Sequence, residues 1–306
     1  MCIRDRVYTS GAVGSEEIIW TDRTGKVLTT FGTPKNDMRA PVISPDGTKV
    51  ALDSTGAKWQ IWVEDSVRNT AVPIGGVLDD EGYVQWLGNG NNLVFGCKTS
   101  ASSQANTCVS PANGSRQPQT ILDFALRTPS FSSDGKTILF AKRNDTGNFE
   151  IWRSAFERGA KAQPFLATQF NELAPRISPD GRFAAYQSDE SGRYEVYVSP
   201  VPTGDQRFLI STAGGTTPKW SRRGDELFYL QGDILMSVQV RTVPSFSVGV
   251  PQQLFSGRKV GSTMRRFDTP QWDIAPDGKR FVVIRDAGAG ARTIVAEQDW
   301  HTKSEQ

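Results

Sequence analysis

The chain has 306 residues, 37% hydrophobic and 22% charged, which is enough apolar material for a sizeable core. Its 35 basic residues stand against 33 acidic ones, a net charge of +2, so nothing points to nucleic acid or an anionic membrane as partner. No run of 18 apolar residues occurs, and no helical membrane span is expected in this stretch.

Residues 1–6, Met-Cys-Ile-Arg-Asp-Arg, have neither the apolar stretch nor the cleavage site of a signal peptide. They read either as a genuine short N-terminus or as translated sequencing adapter. On the second reading, which we adopt, they are non-native, and the natural protein begins upstream with a further N-terminal domain to which this chain is tethered. Next come Glu17-Ile18-Ile19-Trp20 and Lys26-Val27-Leu28-Thr29, which match the third and fourth strands of a repeat unit. Val7-Tyr8-Thr9 fits the tail of its second.

Six turns then recur: Ser44-Pro45-Asp46-Gly47, Leu87-Gly88-Asn89-Gly90, Ser132-Ser133-Asp134-Gly135, Ser178-Pro179-Asp180-Gly181, Ser221-Arg222-Arg223-Gly224 and Ala275-Pro276-Asp277-Gly278. Their glycines are 43, 45, 46, 43 and 54 residues apart. Four places before each stands a large apolar residue (Ile43, Trp86, Phe131, Ile177, Trp220, Ile274), and an apolar run follows each. A proline that presets φ, an aspartate that bonds nearby backbone and a glycine at positive φ make a reverse turn between two strands. Asp46, Gly47, Asp134, Gly135, Asp180, Gly181, Asp277 and Gly278 are therefore structural. A third strand follows (Gln60-Ile61-Trp62, Glu150-Ile151-Trp152, Glu195-Val196-Tyr197) and a fourth closes the unit (Arg207-Phe208-Leu209-Ile210).

Four antiparallel strands per period of this length make the blade of an all-β propeller. The predicted limits are a partial blade over 7–38, blades over 39–82, 83–127, 128–172, 173–214, 215–266 and 267–300, and a polar tail, 301–306. Arg292-Thr293-Ile294-Val295-Ala296 reads as the third strand of the last blade, with no clear fourth. The expected count is seven, the first truncated. The alternative is six, closed by an N-terminal strand on the last blade.

Catalytic signatures are few. The one histidine, His301, lies in the tail, and neither a metal nor a cofactor is expected. The acidic groups Asp79-Asp80-Glu81 and Asp189-Glu190 fall between strands and read as loop charges rather than a glycosidase pair. Cys97 and Cys108 end one strand and begin the next, so a hairpin sets them opposite each other. We expect a disulfide there and with it an oxidising compartment, the alternative being two reduced cysteines. Ligand contacts are expected in the loops that lead into the inner strands: Arg39, Arg127, Asn171, Glu172, Arg176, Thr217, Lys219, Arg265, Arg266 and Asp268. Converging cations there suit an acidic peptide or a polyanionic ligand.

The Ser-Pro-Asp-Gly turns, with Ser188-Asp189-Glu190-Ser191-Gly192-Arg193-Tyr194-Glu195-Val196-Tyr197, resemble the repeat of TolB-like (WD-like) propellers. The stretches from Gln169 to Gly181, from Gly214 to Trp220, and Glu226-Leu227-Phe228-Tyr229 are more similar still to the C-terminal propeller of membrane-anchored bacterial serine/threonine kinases. That resemblance implies a kinase domain and one membrane span upstream. It implies an extracytoplasmic propeller that senses a protein, peptide or small ligand without catalysing a reaction. Winged-helix regulators and periplasmic TolB itself are the other implied parents, and a cytoplasmic setting stays open.

Overall fold

The structure is a computed structural model, and it describes residues 6–10, 15–55, 59–78, 83–98, 105–266, 269–288 and 293–297. Blade 1 is made of Met38–Ile43, Lys49–Thr55, Trp59–Asp65 and Thr70–Leu78, hydrogen-bonded in that order. Blade 2 follows with Gln85–Trp86, Asn92–Cys97, Asn106–Pro111 and Gln119–Leu122, and blade 3 with Arg127–Phe131, Thr137–Arg143, Phe149–Ala155 and Gln163–Leu166. Blade 4 comprises Glu172–Ile177, Phe183–Ser188, Glu195–Pro200 and Phe208–Leu209. Blade 5 is formed by Thr216–Trp220, Glu226–Gln231, Ile234–Arg241 and Gln252–Ser256.

The last blade joins both ends of the described chain. Trp272–Ile274 and Arg280–Asp286 supply its inner strands, and Ser15–Asp22 and Val27–Asn36 its outer ones. Of the two counts open from the sequence, the sheets therefore form six blades, because the N-terminal partial unit and the last unit are halves of one sheet. The third strand of that blade is Ser15–Asp22, paired Ile18 to Ile284 and Trp20 to Val282, and not the segment ending at Ala296. Thr293–Glu297 pairs instead with Arg6–Ser10, which removes Val7-Tyr8-Thr9 from the second strand of a blade.

The core lies between blades. Strand alternation sends every second residue to one neighbour and the rest to the other. In blade 6, Ile18, Trp20, Val282 and Ile284 pack on Met38, Val50 and Leu52 of blade 1. Ile19, Phe281 and Val283 face the other way, onto Phe228, Leu235 and Phe255 of blade 5. Similar clusters join blades 1 and 2, 2 and 3, 3 and 4, and 4 and 5, so the ring is closed by continuous apolar contact.

The repeated turns do what their residues require. Gly47 sits at φ 76°, and its N–H donates to the Ser44 carbonyl at 2.8 Å. Asp46 accepts from the Ser44 hydroxyl at 2.6 Å and from the Thr48 N–H at 3.0 Å, while the Ser44 hydroxyl accepts from the Lys49 N–H at 2.9 Å. Asp134 and Asp180 repeat this with Ser132 and Ser178. Ala275 lacks a hydroxyl, and there Asp277 takes the N–H groups of Lys279 and Arg280. The long spacing before the last turn holds Ser247–Val248, the short helix Gly257–Val260 and a small ladder of Arg265–Arg266 with Thr269–Pro270.

Cys97 and Cys108 form a disulfide with a Cα–Cα distance of 5.9 Å. They are not directly opposite: Cys97 pairs with Asn106, and Cys108 with Phe95. The hairpin register is two residues off the symmetric one, and the bond runs along the diagonal of one sheet face.

Candidate functional site

The inner strands line a central channel, and a bulge in them decides which side chain reaches it. Seven residues before the turn glycine, Ala40, Tyr83, Thr128, Ala174 and Thr217 all have φ between 40° and 51°. In blades 1, 3, 4 and 5 the pairing register slips by one at this point, as between Arg39 and Val42. In the same four blades the next residue is proline (Pro41, Pro129, Pro175, Pro218), which cannot donate to the ladder and so tolerates the bulge.

One place after that proline position, five before the glycine, come Val42, Gln85, Ser130, Arg176, Lys219 and Asp273, one from each blade. Five of the six, Val42, Ser130, Arg176, Lys219 and Asp273, stitch blade to blade. Ser130 Oγ accepts from Ile177 N at 2.9 Å, and Asp273 Oδ2 from Ile43 N at 2.7 Å. The indoles of Trp86 and Trp220 donate to the carbonyls of Val42 and Arg176, each at 2.8 Å. Val42, Gln85, Arg176, Lys219 and Asp273 line a cavity of about 310 Å³ that opens among the turns, with Pro45, Pro179, Pro276 and Arg222 at its rim.

Within the cavity Lys219 Nζ donates to Asp273 Oδ1 at 2.7 Å and lies 5.3 Å from the centre of the Trp272 ring. Arg176 Nη1 donates to the carbonyls of Pro175 at 2.7 Å, Thr128 at 3.2 Å and Pro129 at 3.5 Å. Burial pulls the Arg176 guanidinium down to about 10, with Asp273 opposing the change, and burial lowers Lys219 against the same carboxylate. Low dielectric disfavours a cation whose countercharge is shared. Near the other end of the inner strands, the Thr128 and Thr217 hydroxyls, the Gln271 amide and the Trp272 indole N–H are buried without a hydrogen-bond partner among the described residues. Buried polar groups of this kind take solvent or ligand as partner.

The residues expected from sequence divide sharply. Arg176 and Lys219 are in the channel. Arg39 is paired with Asp37 at 3.0 Å and stacked 4.6 Å over Trp59, and Arg127 lies 5.3 Å and 5.0 Å from the rings of Tyr83 and Phe149. Asn171 is bonded to Asp189 through its backbone N–H and its amide, both at 2.8 Å, and Glu172 accepts from the Thr168 hydroxyl. Burial raises the Glu172 carboxyl above the usual range. Thr217 is one of the buried unpartnered groups, and its N–H donates to Gln187 at 2.8 Å. Arg265 is exposed in the small ladder with Arg266, while Asp268, Asp79-Asp80-Glu81 and His301 lie outside the described residues. Glu190 is ion-paired with Arg207. Sequence reasoning missed Asp273 and Arg222. Their signal was alignment on the turn glycine, which puts Asp273 level with Lys219 and Arg222 at the place of Pro45.

Sheet order, ring closure and turns define a six-bladed β-propeller of TolB-like fold. A structure reported as a TolB from Agrobacterium tumefaciens is 18% identical, with a TM-score of 0.64 over 90% of this chain and 99% of that one. TolB from Acinetobacter baumannii is 16% identical at a TM-score of 0.57, over 89% of this chain and 65% of that one. A protein assigned as a 6-phosphogluconolactonase from Bacteroides uniformis is 15% identical at 0.54, over 94% and 95%. At these identities the likeness is one of fold. No family model matches the chain, and no curated protein matches it.

Proposed function

We propose that this propeller is a non-catalytic binding module that holds a protein, peptide or small ligand at its channel and reports to an attached domain. The observation that carries the reading is the channel itself, a cavity of mixed polar and apolar lining whose one carboxylate, Asp273, is already bonded to Lys219 and to the Ile43 N–H. A glycosidase needs two carboxyl groups roughly 5–10 Å apart, and such a pair is not among the residues that line this cavity. The test is a saturation-transfer screen of peptides and small molecules, run beside turnover assays on chromogenic glycosides and lactones. Binding without turnover is expected. Turnover that Asp273→Asn abolishes would replace the reading with a hydrolase.

The parent we favour is a membrane-anchored serine/threonine kinase, on the sequence likeness of the repeats, with the propeller outside the cytoplasm. The disulfide supports an oxidising compartment. A TolB-type envelope scaffold is the second reading, favoured by the two TolB structures of like fold. Extending the coding sequence upstream separates them. A kinase domain followed by one apolar span supports the first; a signal peptide and a small α/β domain support the second.

A further inference from the structure

We propose that the turn-side mouth of the channel binds the oxyanion group, carboxylate or phosphoryl, of a small ligand between Arg176, Lys219 and Arg222. This rests on the reading of the channel as the binding site and adds the chemistry of what it takes.

Three cations from the neighbouring blades 4 and 5 line one cavity that contains a single carboxylate. Both oxygens of that carboxylate are committed, to Lys219 Nζ and to the Ile43 N–H, each at 2.7 Å. Asp273 therefore balances one charge of the Arg176–Lys219 pair and leaves the other. Arg176 has only carbonyl partners, all reached through Nη1, so Nε and Nη2 donate to no group among the described residues. Arg176 is half-buried, and a cation partly withdrawn from water without a countercharge favours an anion that supplies one more than an exposed site would.

Arg222 gives the third contact. It stands where three other turns have proline (Pro45, Pro179, Pro276), so a long cation replaces a rigid ring at the rim. Its side chain is exposed and donates to the Pro45 carbonyl, running from blade 5 past blade 6 to blade 1. A solvent-exposed bond to one carbonyl is worth only about 1 kcal/mol net. An arriving anion offers the same guanidinium a charged, bidentate partner, and Arg222 is free to turn from Pro45 to the ligand. At about 310 Å³ the cavity is at the small end of ligand pockets, which suits a phosphate ester or short dicarboxylate and not a polymer. Trp86, Trp220, Ile177 and Ile274 offer its body apolar contact.

The test uses the whole chain at low ionic strength, titrated separately with inorganic phosphate, succinate and neutral succinamide. Binding is read by calorimetry and by the indole N–H resonances of the tryptophans. Phosphate or succinate is expected to shift Trp86 and Trp220, which line the cavity, and to leave Trp152 unmoved. Affinity falls as salt is added, succinamide gives no shift, and Arg222→Ser weakens binding about tenfold. Tighter binding of phosphate assigns a phosphoryl group, and tighter binding of succinate a carboxylate. The inference is overturned if succinamide binds as well as succinate, which leaves a channel that binds without using charge. It is equally overturned if Arg222→Ser and Arg176→Gln both retain full anion affinity, since the anion then sits elsewhere. If Arg176→Gln fails to fold, the tryptophan shifts and Arg222→Ser decide alone. Failure of the anions beside success of neutral compounds in the wider screen rejects this chemistry and keeps the binding module; failure of both rejects both.

Discussion

Blades 1 to 3 and blades 4 to 6 align on the same turn glycine and carry different chemistry at the same place in the channel. In the first half the fifth residue before the turn glycine is Val42, Gln85 or Ser130; in the second it is Arg176, Lys219 or Asp273. The main-chain task is shared, since Ser130 and Asp273 each accept an N–H from the next blade. What differs is charge. The frame tolerates either kind because a neutral hydroxyl and a carboxylate can each accept the neighbouring N–H, so charge at this position can vary with recognition.

The comparison is broken most strongly by removing the one carboxylate of the ionic half. Asp273→Ala strands the Lys219 ammonium beside Arg176 and orphans the Ile43 N–H, and a loss of about 3–5 kcal/mol is expected in urea unfolding. Gln85→Ala, its counterpart in the neutral half, is expected to cost about 0.5 kcal/mol or less. Next in size is the disulfide of blade 2. Cys97→Ser with Cys108→Ser releases a loop with a sequence separation of 11, at an expected cost of about 2–4 kcal/mol, and dithiothreitol should lower the urea midpoint of the parent alike. Ser130→Ala sharpens the contrast: it leaves the Ile177 N–H unpartnered without disturbing a charge, for an expected loss of about 1–3 kcal/mol. Adding salt should change this value little and the Asp273→Ala value more.

The smallest effect is shared by both halves. Hydrogen bonds from Ser44 and Ser132 hold the Asp46 and Asp134 carboxyls below the usual carboxylate range. Burial opposes the same shift at Asp180 and Asp277, where the hydrogen bonds prevail. A folded value below the unfolded one gives stability that is fully present above about pH 4 and lost as pH falls through the lowered values. The urea midpoint is expected to drop below that pH, and Asp134→Asn to make the drop shallower.

The blades were legible because their signal is local: Ser178-Pro179-Asp180-Gly181 contains the whole chemistry of its turn, and Ile177 before it has one direction to point. Ring closure stayed open between two counts, because Ser15–Asp22 precedes any turn of this kind, and its partner, Arg280–Asp286, is more than 250 residues away. Of the site, Arg176 and Lys219 were found as cations near the inner strands. Arg39 and Arg127 looked equivalent to them in sequence, yet the bulge at Ala40 and Thr128 separates them from the channel position, and Trp59, Tyr83 and Phe149 cover them instead. Asp273 was passed over because a lone acid carries no pattern until a turn glycine fixes its register.

The seam in blade 6 also sets how the ring answers to tension. Ser15–Asp22 and Arg280–Asp286 run antiparallel with Glu16 opposite Asp286, so the two segments leave the blade side by side. A pull that draws them apart loads the hydrogen bonds of this ladder one rung at a time, as a zipper is opened, and never all at once in shear. The apolar face that Ile18 and Trp20 hold against blade 1 would be bared in sequence behind the opening rungs. Mechanically, the ring has a clasp, and the outer ladder of Arg6–Ser10 with Thr293–Glu297 takes the load before it.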